Sequence, residues 1–214
     1  MDITDTLVSK PNDPNPMRLP TDITHISVHH SAVEGSTIES YARYHVLTKG
    51  WFHIGYHMVI KGDQAFQTND ILTFSYHTAS NNAHSVSVSI SGDLSKRTLS
   101  EIERNILYGV ILTYMSIFNI PIDNVLGHNE FPGQATSCPS IDMQKVRSDI
   151  ATLQMTLKQQ ETWEAKLNKV SQIGNQINYM NNLIKVGKDD NNARWAVDQQ
   201  MKLYEIMKAQ KLLP

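Results

Sequence analysis

Hydrophobic and polar positions alternate along HISVHH (residues 25–30), which predicts a strand with Ile26, Val28 and His30 on one face and His25, Ser27 and His29 on the other. IGYHMVI (54–60) and SVSVSIS (85–91) predict two further strands. The second turns Val86, Val88 and Ile90 toward a core and a row of serines away from it, toward a surface open to something polar. Elsewhere the apolar residues follow a helical period. TIESYARYHVLTKG (37–50) opens on a Thr cap and stops at Gly50. The segment 98–121 opens on the capping box Thr98-x-x-Glu101 and stops before Pro121, with Ile102, Ile106, Leu107, Val110, Ile111 and Tyr114 forming a stripe that should pack on the sheet. Strands with helices between and after them indicate an α/β layered domain over residues 23–150.

Both ends of the chain read differently. Residues 1–22 hold four prolines and little periodicity, which predicts an extended N-terminal arm. Beyond residue 150, Leu153, Leu157, Trp163, Leu167, Val170, Ile173, Ile177, Met180 and Ile184 recur at helical spacing. After VGKDDNN, Trp195, Val197, Met201, Tyr204 and Met207 do the same. Residues 151–214 are therefore expected to form a small all-α C-terminal domain. Its occupants are either a cell-wall polymer or apolar surfaces: its own, those of the first domain, or those of a second chain in a dimer.

Composition narrows the class. With 214 residues, 40% hydrophobic and 19% charged, the chain can bury a full core. No apolar run is long enough for a membrane span and the first residues lack the form of a secretory signal, so a soluble, cytoplasmic protein without membrane insertion is expected. The net charge of -2 is unevenly spread: residues 1–150 carry ten Lys/Arg against fifteen Asp/Glu, and residues 151–214 carry nine against six. A tail this weakly basic has the composition of a solvated helical face, and no nucleic-acid partner is expected.

The chemistry lies in nine histidines, none beyond residue 128, and a single cysteine. One cysteine cannot form an internal disulfide. Cys138 can be read as a nucleophile, a buried small residue or a metal ligand, although the proline that follows it argues against a nucleophile opening a helix. Zinc favours imidazole nitrogen and thiolate, and a catalytic site keeps a fourth position open. His29, His128 and Cys138 can supply three ligands, but no close-set pair of ligands singles them out by spacing.

Four segments in order, ISVHHSA, KGWFHIGYHMVI, HTASNNAHSVSVSISGDL and LGHNEFPGQATSCPS, resemble the successive motifs of the zinc-dependent type 2 N-acetylmuramoyl-L-alanine amidases, a family of phage endolysins and peptidoglycan recognition proteins. The resemblance covers residues 23–150. It implies a central mixed β-sheet flanked by helices, and Zn2+ held by His29, His128 and Cys138. His29 rather than His30 matches the ligand, and His30 is expected to be a core histidine. Tyr56 matches the tyrosine that stabilises the developing oxyanion. Thr136 stands where many members have lysine, bringing a hydroxyl without a charge. His77 matches a histidine at the cleft rim that touches substrate, with Asn82 and His84 as further substrate-binding candidates. Glu130 is either a group orienting an imidazole or a solvated carboxylate. The activity implied is hydrolysis of the amide between N-acetylmuramic acid and L-alanine in bacterial peptidoglycan. An endolysin of this kind would stay in the host cytoplasm until a holin opened the membrane. The alternatives are a non-catalytic peptidoglycan-recognition module and a bacterial muropeptide-recycling amidase, whose third ligand is typically aspartate.

Overall fold

In the computed structural model, which describes residues 1–15 and 17–159, the chain forms two units, Met1–Ala151 and Thr152–Pro214. The alternating segment forms β1 (His25–His30), deep inside the sheet of the first unit. β4 (Ser85–Ile90) pairs with it in parallel on one side and β5 (Val125–Gly127) in parallel on the other. β2 (Met58–Lys61) runs parallel to β4 and antiparallel to β3 (Gln64–Gln67), giving the order β3-β2-β4-β1-β5. This is the mixed sheet that the resemblance implies. β2 and β3 are joined by two residues, and Gly62 takes φ 63° there, a region that side chains disfavour.

Three local expectations change. The strand expected over 54–60 begins only at Met58, because the carbonyls of Ile54 and Tyr56 are taken by side chains: Asn69 Nδ2 donates to both, at 2.6 and 2.8 Å, and Thr68 Oγ1 donates to Tyr56 at 2.7 Å. The serine row does not face solvent. β4 has strands on both sides and cover on both faces, so Ser85, Ser87 and Ser89 are fully buried, with the Ser85 and Ser87 hydroxyls bonded to other protein groups. The long helix, α2 (Glu101–Phe118), uses Ser100 and Glu103 as its capping box rather than Thr98 and Glu101. Arg97 fixes that choice by holding both Glu103 oxygens at 2.8 Å.

The core forms on both faces of the sheet. Leu107, Ile111 and Tyr114 of α2 pack with Ile26, Val28, Ile60, Val86, Val88 and Ile90, and a helix over 143–151 (α3) adds Met143, Val146 and Ile150. On the other face α1 (Ile38–Arg43), capped by Thr37, packs Ile38, Tyr41 and Ala42 against Val59, Ile54 and Leu7. The helix expected over 37–50 is α-helical only to Arg43. It widens over Tyr44–Thr48 and ends there, with Lys49 as its cap and Gly50 at φ 77° just beyond.

The N-terminal arm is part of this unit. Ile3 N donates to Gln67 O, Gln67 N to Met1 O and the terminal amine to Ala65 O, so the first residues cover the open edge of β3. Residues 152–159 are helical. The rest of the expected C-terminal helical domain, including Trp163 and Trp195, lies outside the described residues. Among the described residues no helix is long and apolar enough to cross a membrane.

Candidate metal centre

Parallel strands present their C-terminal ends on one side, where α/β folds place ligands. His29 lies near that end of β1, and His128 is the first residue beyond β5. Gly127, just before it, has to be glycine, because a Cβ there would meet Asn129 Oδ1, Pro139 Cδ and Met143 Cγ at 2.7–2.9 Å. That close approach folds the loop back, and Asn129 N donates to Cys138 O at 2.8 Å, which returns the cysteine to the strand ends. The ligand atoms of His29, His128 and Cys138 all lie within 4.8 Å of one another.

Each imidazole has one nitrogen occupied elsewhere. His29 Nε2 lies 2.7 Å from Ser27 Oγ and 3.3 Å from His77 Nδ1, while its Nδ1 lies 3.7 Å from Cys138 Sγ. His128 Nε2 lies 3.0 Å from Gln134 Oε1, which leaves Nδ1 for an ion. Such partners set which nitrogen keeps its lone pair. Burial, reinforced by His77 and His128, pushes His29 well below the usual histidine range. Burial also lowers His128, against the hydrogen bond it donates to Gln134. Both are thus neutral, as metal ligands must be. Burial raises the Cys138 thiol to about 11, opposed by the His30 N–H that points at its sulfur from 3.4 Å. Two neutral imidazoles and a buried thiol at these distances fit a zinc ion with one position open.

Tyr56 stands beside this group, its ring 5.5 Å from those of His29 and His45. Burial, then the neighbouring Cys138, raises its hydroxyl far above the usual tyrosine value, so it remains a donor. Tyr56 also lines a cleft of about 460 Å³ together with Ser31, Tyr41, Tyr44 and His45. Thr136 is exposed, and its Oγ1 accepts from Cys138 N at 3.1 Å, which leaves the hydroxyl hydrogen to donate.

The remaining sequence candidates sit elsewhere. His77 is buried behind His29 rather than at a rim. Asn82 is buried too, its Oδ1 accepting from the backbone of His77 and Thr78 at 2.9 and 2.7 Å. His84 is exposed beside Asp22 and lines a separate depression with Asn15 and Phe74. Glu130 orients no imidazole: it accepts from Gly127 N and pairs through both oxygens with Arg147 of α3. His30 is buried as expected, its Nδ1 accepting from Leu94 N. Sequence reasoning did not single out Ser27 or Gln134. Ser27 was within reach of it, since a residue two before a ligand on the same strand shares its face.

The profile of the N-acetylmuramoyl-L-alanine amidase family matches residues 19–141. No curated protein matches the chain. Among solved structures the fold is similar to N-acetylmuramoyl-L-alanine amidase LysC from Clostridium intestinale URNW, at 18% identity and a TM-score of 0.58 over 68% of this chain and 97% of that one. It is also similar to the Ph2119 endolysin from Thermus scotoductus MAT2119 bacteriophage, at 20% identity and 0.55 over 63% and 88%. A third likeness is to peptidoglycan recognition protein-LE in complex with tracheal cytotoxin, at 20% identity and 0.59 over 69% and 92%. With more than half of its length matched by the family profile and its ligand-type residues gathered at one end of the shared sheet, the chain belongs to the N-acetylmuramoyl-L-alanine amidase family.

Proposed function

We propose that this chain is a zinc-dependent endolysin that hydrolyses the amide between N-acetylmuramic acid and L-alanine in bacterial peptidoglycan. The observation that supports it is the convergence of His29, His128 and Cys138 within 4.8 Å beside a protonated, buried tyrosine. His29 Nδ1, His128 Nδ1 and Cys138 Sγ would hold the ion. Zinc held there supplies Lewis acidity toward the scissile carbonyl and toward an attacking water. Tyr56 donates to the carbonyl oxygen as it gains charge, and Thr136 offers a second, uncharged donor from the opposite loop. Gln134, Ser27 and His77 keep the imidazoles from turning. The cleft next to Tyr56 takes substrate, and the protein acts on the wall after release from the cell that makes it.

Digestion of purified peptidoglycan tests this. Native protein should release new L-alanine amino termini without new reducing ends. Chelation should abolish that release, zinc should restore it, and Cys138→Ala should lack it under all conditions. Binding to peptidoglycan with no bond cleaved would overturn the enzyme reading and leave a recognition module.

A further inference from the structure

Arg18 belongs to the N-terminal arm and precedes the family-matched residues by one position, yet its side chain is among the buried charges of the unit, 6% exposed. Among the described residues no carboxylate pairs with it at salt-bridge distance. Its donors go to carbonyls on two separate stretches of chain. Nη2 donates to Ile71 O at 2.9 Å and Nε to Leu72 O at 3.4 Å, while Nη1 donates to Asn82 O at 3.1 Å and Ser85 O at 2.5 Å. Its own backbone N–H donates to Leu72 O. A planar guanidinium can bridge in this way and an ammonium cannot. The stretch it closes, 72–85, carries His77.

Ser85 O is the connecting atom. Besides Arg18 it faces His77 Nε2, at 3.3 Å. A carbonyl only accepts, so His77 keeps its proton on Nε2 and turns a bare Nδ1 toward His29 Nε2, 3.3 Å away. With Ser27 Oγ, 2.7 Å away, accepting from the same nitrogen, His29 then carries its own proton on Nε2, and its lone pair lies on Nδ1, the nitrogen facing Cys138. His57, whose ring meets that of His77 edge-on at 5.6 Å, fills the space between Arg18 and this pair, with its Nε2 2.9 Å from Arg18 Nη2.

We propose that Arg18 is a positioning residue of the metal centre: by clamping Ser85 O between two loop ends it sets the tautomer of His77, and through it the nitrogen that His29 offers to the ion. This rests on His29 being a ligand, but not on the bond that the protein cleaves.

The test compares native protein with Arg18→Lys, which keeps the charge without the bridge, and with Arg18→Met. Ring nitrogen shifts of ¹⁵N-histidine-labelled, metal-free protein report the tautomers. Chelator competition reports zinc affinity, and thermal melts report folding. In native protein both His77 and His29 should be Nε2–H. In folded Arg18→Lys, His77 should populate both tautomers and zinc affinity should fall about 10-fold, the lower end of what losing an outer-shell partner costs. Should Arg18→Met not fold, the lysine variant decides alone. Native tautomers or native zinc affinity in a folded Arg18→Lys would overturn the proposal and leave Arg18 a scaffold residue. Native protein with these tautomers but without amidase activity would refute the proposed function and leave this inference standing.

Discussion

Metal-free protein should lose stability steeply between pH 7.5 and 5.5, because the fold buries histidines in neutral form. Burial lowers His45 to about 4 and His57 to about 3, and pushes His29 and His77 well below the usual value of 6.5. When the folded-state value is the lower one, the unfolded chain binds more protons in between. The stability these groups contribute is then complete above pH 6.5 and is lost as pH falls through that value. An unfolded imidazole is about nine-tenths protonated at pH 5.5, so each such histidine costs about 1.4 kcal/mol relative to pH 7.5. His45 and His57 together cost about 3 kcal/mol, a large part of the stability of a small domain, and His29 and His77 add to the loss in the same direction. No histidine lies beyond residue 128, so the effect belongs to the first unit. Urea titrations of chelated protein at pH 7.5, 6.5 and 5.5, followed by near-UV circular dichroism, should show the midpoint falling with each step. His45→Gln should remove about 1.4 kcal/mol of the drop, since His45, which stacks on Trp51 and accepts from Gly55 N, is lowered to about 4. A midpoint that does not move between pH 7.5 and 5.5 would refute the reasoning.

Three more outcomes follow from the site. Gln134→Leu, which removes the acceptor beside His128 Nε2, should weaken zinc binding by about 10- to 100-fold in chelator competition, with the circular dichroism spectrum unchanged. With its thiol at about 11, Cys138 is protonated in the metal-free protein at neutral pH while the histidine ligands are already neutral. Calorimetry in buffers of different ionisation enthalpy should therefore show at least one proton released per zinc bound at pH 7.5, and release of none would contradict the ligand assignment. Tyr56→Phe should lower kcat by about 100- to 1000-fold on peptidoglycan while leaving zinc affinity as it is.

How far the site could be read in the sequence depended on whether a feature was local. Alternation along β1 put His29 and His30 on opposite faces and Ser27 on that of His29, because period two holds whatever the strand packs against, while the resemblance alone singled out His29 as a candidate ligand. The same alternation misled at the serine row, since it says which residues share a face but not what covers that face. His57 beside Ser87 and the 78–81 turn beside Ser85 provide that cover, and both come from segments distant along the chain or outside the strand. Gln134 and the depth of His77 were out of reach for a related reason. Both contacts exist only once the loops after β5 and before β4 have closed, and nothing in QATSC or SYHTA states where a loop comes to rest.

The N-terminal arm carries this point further. Its prolines and weak periodicity describe a segment with no regular structure of its own, which is easily taken for a leader into the domain. The fold nevertheless uses it in several places, among them the Met1–Ile3 edge on β3, Leu7 in the cluster beneath α1, Lys10 on the Gly50 and Phe52 carbonyls, and Arg18 under the loop that carries His77. A segment with too few apolar residues to order itself can still be ordered by acceptors waiting on the domain. Here the carbonyls of residues 71, 72, 82 and 85 would otherwise need other donors, and a buried carbonyl left unpaired costs about 1–3 kcal/mol. A boundary drawn at residue 19, where the family match begins, keeps every proposed ligand yet cuts away the donor that satisfies those carbonyls. The compact unit that holds the candidate ligands is therefore the sheet together with its arm, Met1–Ala151.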